Sequence, residues 1–178
     1  MYSVNLGSWV EHTACCIIVF SAFISTACTG VRTSSPLTLD QSVATTNSVR
    51  AFAATVADDV TRQGPAAWRA QFADSPAFFM ASEGHLVFAN SDAATRGIQE
   101  LTGSIAHIEL RWGEPMLVDP LTPTLAMLGA PYHEVRVDTA GHRVEETGYF
   151  TGLAELGPAG WRFRNAHWSV ASSPSPVP

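Results

Sequence analysis

Residues 161–169 read Trp-Arg-Phe-Arg-Asn-Ala-His-Trp-Ser, and this stretch decides the fold. It follows a Gly157-Pro158-Ala159-Gly160 turn and alternates with a period of two, which is typical of a β-strand. Strict alternation predicts one face that mixes apolar bulk with hydrogen-bonding groups, as the wall of a pocket does. That face carries Trp161, Phe163, Asn165, His167 and Ser169, while the other carries Arg162, Arg164, Ala166 and Trp168.

Three helices are predicted upstream of this strand. The first has its apolar face from Val49 to Val60, with Thr46 or Asn47 as its cap and Gly64 at its end. Pro65 opens a short second helix that carries Trp68 and Phe72 on one side. Asn90 or Ser91 caps the third, in which Ile98 and Leu101 face inward and which Gly103 ends.

Strands fill the rest of the predicted domain. A hairpin over residues 77–81 and 85–89 separates the second and third helices. Four long strands then cover residues 105–118, 124–137, 144–156 and 161–170. Short connections predict that each runs antiparallel to the one before it. The element order therefore indicates an α+β domain.

Composition limits the possible functions. The chain has 178 residues, 46% of them hydrophobic and 15% charged, which suits one globular domain. Its formal net charge of −6 and the lack of a basic run argue against nucleic acid as a partner. Nothing resembles a P-loop, a dinucleotide fingerprint or a zinc-spaced cysteine set, so no cofactor is expected.

The N-terminal residues predict export. Residues 14–24 form an apolar run suited to the core of a signal peptide, and the small residues before Cys28 resemble a bacterial lipobox. We therefore expect residues 1–28 to be a signal peptide with lipidation at Cys28. Residues 29–44 are then a flexible tether, and residues 172–178 a disordered tail. The alternative is cleavage after Ala27, which would release a soluble secreted protein.

The element order, together with several short motifs, resembles the nuclear transport factor 2-like superfamily, and within it the SnoaL-like bacterial proteins. The resemblance covers about residues 45–171. It implies a cone in which three N-terminal helices pack on a curved antiparallel sheet, with a pocket at the wide end and homodimerisation through the sheet. The matching motifs are Phe72-Ala73-Asp74, Gly141, Gly160-Trp161 and Ala166-His167-Trp168-Ser169.

The catalytic residues of this superfamily do not carry over. Ketosteroid isomerase-like members have a carboxylate base in the first hairpin strand, where residues 77–81 here have no acid or base. The same enzymes place an acidic oxyanion donor near the position of Gly152, and glycine cannot serve. The resemblance therefore implies the fold without assigning an activity.

Individual residues still suggest a site. His167 is the leading catalytic candidate, with Tyr149 or Glu109 as its partner, although a histidine that only fixes the last strand is the favoured interpretation. No metal is expected, because the spacing of Tyr132, His133, Glu134 and His142 matches no recognised metal motif. Glu145 and Glu146 are interpreted as solvated. The predicted ligand-binding residues are Trp68, Phe72, Phe79, Leu101, Tyr149, Phe163, Asn165 and His167.

Three functions follow, in this order. The first is an exported, lipid-anchored domain that binds a small apolar molecule without catalysis, and whose only membrane contact is the N-terminal anchor. The second is an isomerase, dehydratase or hydrolase that uses His167 with Tyr149 or Glu109. The third is an assembly module that dimerises through its sheet.

Overall fold

The computed structural model describes residues 36–171, which form three helices and one seven-stranded sheet. A short 3₁₀ turn, Pro65–Ala67, leads directly into α2. The predicted signal peptide with Cys28 and the predicted tail lie outside the described residues. The elements are α1 Leu39–Gln63, α2 Trp68–Gln71, β1 Phe79–Ser82, β2 His85–Phe88, α3 Ser91–Ser104, β3 Ile105–Trp112, β4 Leu117–Thr122, β5 Leu125–Asp138, β6 Arg143–Gly157 and β7 Gly160–Val170.

Helix α1 begins earlier than its apolar pattern predicts. Thr38 caps it by accepting a hydrogen bond from the Gln41 backbone N–H, and the Gln41 side chain accepts one in return from Thr38. Part of the predicted tether, residues 39–44, is therefore helical. Leu39 and Val43 are exposed in these first turns, so no buried stripe marks the start of the helix.

The sheet is curved and has the order β2-β1-β7-β6-β5-β3, with β4 also paired to β5. Most neighbours are antiparallel, but β1 pairs with β7 in parallel, so the sheet is mixed rather than wholly antiparallel. The rule that short connections give antiparallel neighbours does not apply to these two strands, because they are distant in sequence. The predicted α+β fold with a curved sheet and three helices is confirmed.

The predicted strand over residues 105–118 is two strands. It breaks after Trp112, where the Glu114 carboxylate accepts a 2.7 Å hydrogen bond from the Met116 N–H. Strand β4 then runs through Pro120, a residue predicted to lie in a turn. Proline is tolerated there because β4 is an edge strand that pairs only with β5.

Strand β7 contains a bulge that changes which side chains face the core. On β6, Leu153 and Ala154 are consecutive, but their partners on β7 are Asn165 and Phe163, so Arg164 is an extra residue. The face of the sheet that carries Phe163 and Phe150 is called the inner face below, and the opposite one the outer face. Beyond the bulge, Ala166, Trp168 and Val170 lie on the inner face.

The bulge contradicts the predicted strict alternation. Asn165, His167 and Ser169 pair with Leu153, Thr151 and Tyr149 and share the outer face with them. His167 is exposed. The physical reason is that one extra residue reverses the phase of every side chain after it.

Aromatic rings hold the inner face together around Trp168. Its ring centroid lies 4.6 Å from that of Phe150, 4.7 Å from Tyr132, 5.6 Å from Trp68 and 5.8 Å from Trp112. These neighbours come from four different elements, so Trp168 links them.

Helix α1 packs on β3, β4 and β5. Phe52 lies with its ring centroid 4.9 Å from that of Phe163, and the Trp112 indole N–H donates a 2.7 Å hydrogen bond to the Ala53 carbonyl. None of the helices among residues 36–171 is long and apolar enough to cross a membrane.

Candidate functional site

A cavity of about 310 Å³ lies between the inner face of the sheet, the β1–β2 hairpin, α2 and α3. Most of its wall is apolar, which matches the composition of small-molecule sites. Twelve of its lining residues are apolar or aromatic: Pro65, Trp68, Phe72, Met80, Val87, Phe88, Ile98, Leu101, Ile105, Ile108, Trp168 and Val170.

Polar side chains converge on the sheet side of this cavity. Tyr132, Glu134 and Arg136 alternate along β5 and therefore share its inner face. Glu146 on β6 lies directly opposite Glu134. Arg136 joins the two carboxylates, with its Nε 3.1 Å from Glu134 Oε1 and a guanidinium N–H donated to Glu146.

The hairpin adds a third carboxylate to this polar group. Glu83 lines the cavity and accepts a hydrogen bond from the backbone N–H of Val170. Its backbone has a positive φ of 49°, the left-handed conformation of a tight turn. The turn therefore directs an acidic side chain toward the end of β7.

Burial perturbs the acid–base behaviour of this group. Desolvation raises the pKa of Glu134, an effect that the nearby Arg136 opposes and Glu146 reinforces. Desolvation also raises the pKa of Tyr132 to about 12, with further contributions from Glu146, Glu134 and Glu83. Glu134 thus holds a proton more readily than an exposed glutamate does, and Tyr132 is a neutral hydrogen-bond donor at physiological pH.

Gly148 makes room for Tyr132 in the cavity wall. A Cβ at position 148 would lie 1.9 Å from the Ser169 carbonyl oxygen and 2.8 Å from the Tyr132 ring. Any larger residue would push these two strands apart. Glycine at this point of β6 therefore allows the Tyr132 ring to lie beside Trp168.

Three of the eight predicted ligand-binding residues line the cavity, namely Trp68, Phe72 and Leu101. Phe163 is fully buried in the core between Phe52 and Phe150. Phe79 is 47% exposed at the start of β1. These two aromatic residues therefore do not face a ligand in the cavity.

The other predicted site residues lie on the outer face. Tyr149 and Asn165 share this face with His167, and neither lines the cavity. Glu109 also points outward, where it pairs with Arg111. Two strands separate β3 from β7, so Glu109 is distant from His167. The predicted pairing of His167 with Tyr149 or Glu109 in one cavity is wrong, because the bulge turns His167 outward.

Sequence reasoning missed the two carboxylates that do face the cavity. Glu146 was interpreted as solvated, and Glu134 was considered only as a weak metal ligand beside His133. The alternating Ala126, Leu128 and Ala130 on β5 were the available signal, because extending their phase turns Glu134 inward and His133 outward.

The outer face carries charged and apolar side chains. His133 hydrogen-bonds Glu145 at 2.7 Å there, while Leu117 and Met127 are exposed. The homodimer through the sheet stays a prediction. No group of three or more histidine, cysteine, aspartate or glutamate side chains among residues 36–171 is arranged to hold a metal ion.

Comparison with known proteins supports the fold and leaves the activity open. No family model and no curated protein sequence matches the chain. Among solved structures, it is similar to a nuclear transport factor 2-like superfamily protein from Salmonella enterica serovar Typhimurium. The TM-score is 0.63 at 14% identity, and the match covers 75% of this chain and 96% of the other.

Two further structures agree. A nuclear transport factor 2-like protein of unknown function from Shewanella oneidensis gives a TM-score of 0.53 at 16% identity, covering 70% of this chain and 98% of that one. A hexachlorocyclohexane dehydrochlorinase gives 0.56 at 8% identity, covering 76% and 95%. The chain therefore has the nuclear transport factor 2-like fold that the sequence resemblance implied.

The raised pKa of Glu134 predicts a specific pH dependence of stability. The folded state keeps this proton to higher pH than the unfolded state, so its contribution to the free energy of unfolding falls as pH rises above about 4.3. We expect Glu134→Gln to remove this part of the slope. Urea denaturation at intervals between about pH 4 and about pH 8 measures it.

Glu145→Gln on the outer face is the matched control. Hydrogen bonds from His133 and Arg143 lower the pKa of Glu145, so its contribution is present at neutral pH and lost as pH falls. The difference between wild type and variant should therefore slope in opposite senses for the two substitutions. Equal slopes would contradict the buried position of Glu134.

Proposed function

We propose that the protein is an exported, lipid-anchored domain that binds a small molecule in its cavity, with an apolar body and a polar group directed at β5. The observation that carries this proposal is the cavity of about 310 Å³, whose wall is apolar except where Tyr132, Glu134, Arg136 and Glu146 converge. Apolar walls supply affinity, and a few placed polar groups fix orientation. The sequence predicted a wholly apolar ligand, and the polar group extends that prediction.

Occlusion of the cavity tests this function. Leu101 lines the cavity from α3 and is 37% exposed, so Leu101→Trp should fill the space from its rim without disturbing the core. We expect the variant to bind 2-naphthol at least about tenfold more weakly, because the indole takes the volume of the ligand. Quenching of naphthol fluorescence, followed by calorimetry, measures the affinity.

Leu86→Trp is the control for this test. Leu86 is 62% exposed on β2, does not line the cavity and receives the same substitution. Wild type and Leu86→Trp should bind 2-naphthol equally. Failure of the wild type to bind, or equal binding by Leu101→Trp, would refute the assignment of this cavity.

The proposed location rests on the N-terminal sequence alone. The apolar run at residues 14–24 and the small residues before Cys28 support export and lipidation. In a bacterial host, we expect the wild type to enter the detergent phase of a Triton X-114 separation and Cys28→Ala to remain in the aqueous phase. An aqueous wild type would favour simple cleavage and secretion.

A second candidate function is acid–base catalysis of an elimination or isomerisation, which would use Glu134 in place of His167. The buried Glu134 carboxyl favours it, because a raised pKa brings a carboxylate closer to the proton affinity that a general base needs near neutral pH. One structural neighbour is described as a dehydrochlorinase, which is an eliminating enzyme. A carboxylate inside the cavity also removes the main argument for a passive receptor.

Turnover measurements separate the two candidates. If Glu134 is the base, the dehydration of an aryl β-hydroxy ketone should have a kcat/KM that rises with pH as Glu134 ionises. Glu134→Gln should lower kcat at least about 100-fold. Glu145→Gln should leave the rate unchanged. Activity that survives in Glu134→Gln would exclude this residue, and an inactive wild type that still binds 2-naphthol would favour the binding function.

A further inference from the structure

The charge balance of the cavity is negative. Three carboxylates line it, those of Glu83, Glu134 and Glu146, against the single guanidinium of Arg136. Arg136 contacts both Glu134 and Glu146 and is therefore shared between two anions. Even with Glu134 protonated, two carboxylates face one cation.

The three carboxylates act on one point in the cavity. Glu146, Glu134 and Glu83 all help to raise the pKa of Tyr132, after the larger effect of its burial. Their fields therefore overlap at the Tyr132 side chain. A cation placed there would interact with all three, whereas an anion would be repelled by them.

Aromatic rings border the same region. The ring centroid of Trp168 lies 4.7 Å from that of Tyr132 and 5.6 Å from that of Trp68, in both cases edge to face. Trp68, Tyr132 and Trp168 all line the cavity. Electron-rich ring faces attract cations, and rings grouped in this way bind quaternary ammonium groups.

We propose that the ligand of this cavity is cationic, with an amine or ammonium group beside Tyr132 and Glu146 and an apolar or aromatic body against α2 and α3. This proposal rests on the proposed binding function and names its ligand class. A neutral ligand of the same shape would leave the excess negative charge without a partner in a desolvated space.

The test compares three probes on the full chain by calorimetry at neutral pH. Benzyltrimethylammonium is the cation, neopentylbenzene has the same shape with carbon in place of nitrogen, and phenylacetate is an anion. We expect the cation to bind at least about tenfold more tightly than neopentylbenzene, and phenylacetate to bind most weakly. Added salt should weaken the binding of the cation alone.

Neighbouring residues of β6 supply a matched pair of variants. Glu146→Gln removes a charge from the cavity, while Glu145→Gln makes the same change on the outer face. Glu146→Gln should lower the affinity for benzyltrimethylammonium about tenfold and leave that for neopentylbenzene unchanged. Glu145→Gln should change neither. Glu83→Gln keeps an oxygen for the Val170 N–H and should act as Glu146→Gln does, should the latter fail to fold.

The outcomes distinguish this proposal from the binding function. If neopentylbenzene or phenylacetate binds as tightly as the cation, the ligand class is wrong and the binding function stands. If none of the three binds but 2-naphthol does, the ligand class is again wrong. If no probe binds at all, both proposals are wrong.

Discussion

One extra residue in β7 determines the interior of this domain. Arg164 forms a bulge against β6, and the reversed phase beyond it turns Trp168 inward and His167 outward. Trp168 then meets rings from α2, β3, β5 and β6. Each such ring pair contributes about 0.5–1.5 kcal/mol beyond the burial of its area. Without the bulge, a polar histidine would occupy the centre of this aromatic cluster.

The same geometry produces the chemistry of the cavity. Helix α1 fills one part of the inner face, and the shorter α2, α3 and hairpin enclose the remaining space. Carboxylates in this enclosed space lose much of their hydration, and Glu134 consequently keeps its proton more tightly. Arg136 offsets part of that cost but is shared with Glu146. An apolar wall facing a crowded acidic group is thus a direct result of the curved sheet.

Sequence patterns predicted the elements better than the site. Gly64, Pro65 and Asn90 marked helix boundaries correctly, because caps and prolines act locally. The bulge at Arg164 could not be predicted, since it arises from pairing with β6 and with the distant β1. The catalytic role proposed for His167 failed for this reason. Trp68, Phe72 and Leu101 were placed correctly because helical spacing does not depend on strand register.

The ionisation of Glu134 tests the central claim, a buried carboxyl inside an apolar cavity, most directly. Carbon-detected NMR titration of its side-chain carboxyl carbon, assigned by comparison with a Glu134→Gln sample, reports this pKa at a single atom. The account predicts a midpoint above the ordinary glutamate value of about 4.3. A midpoint at or below that value would mean that water reaches Glu134 freely, and it would contradict the enclosed cavity.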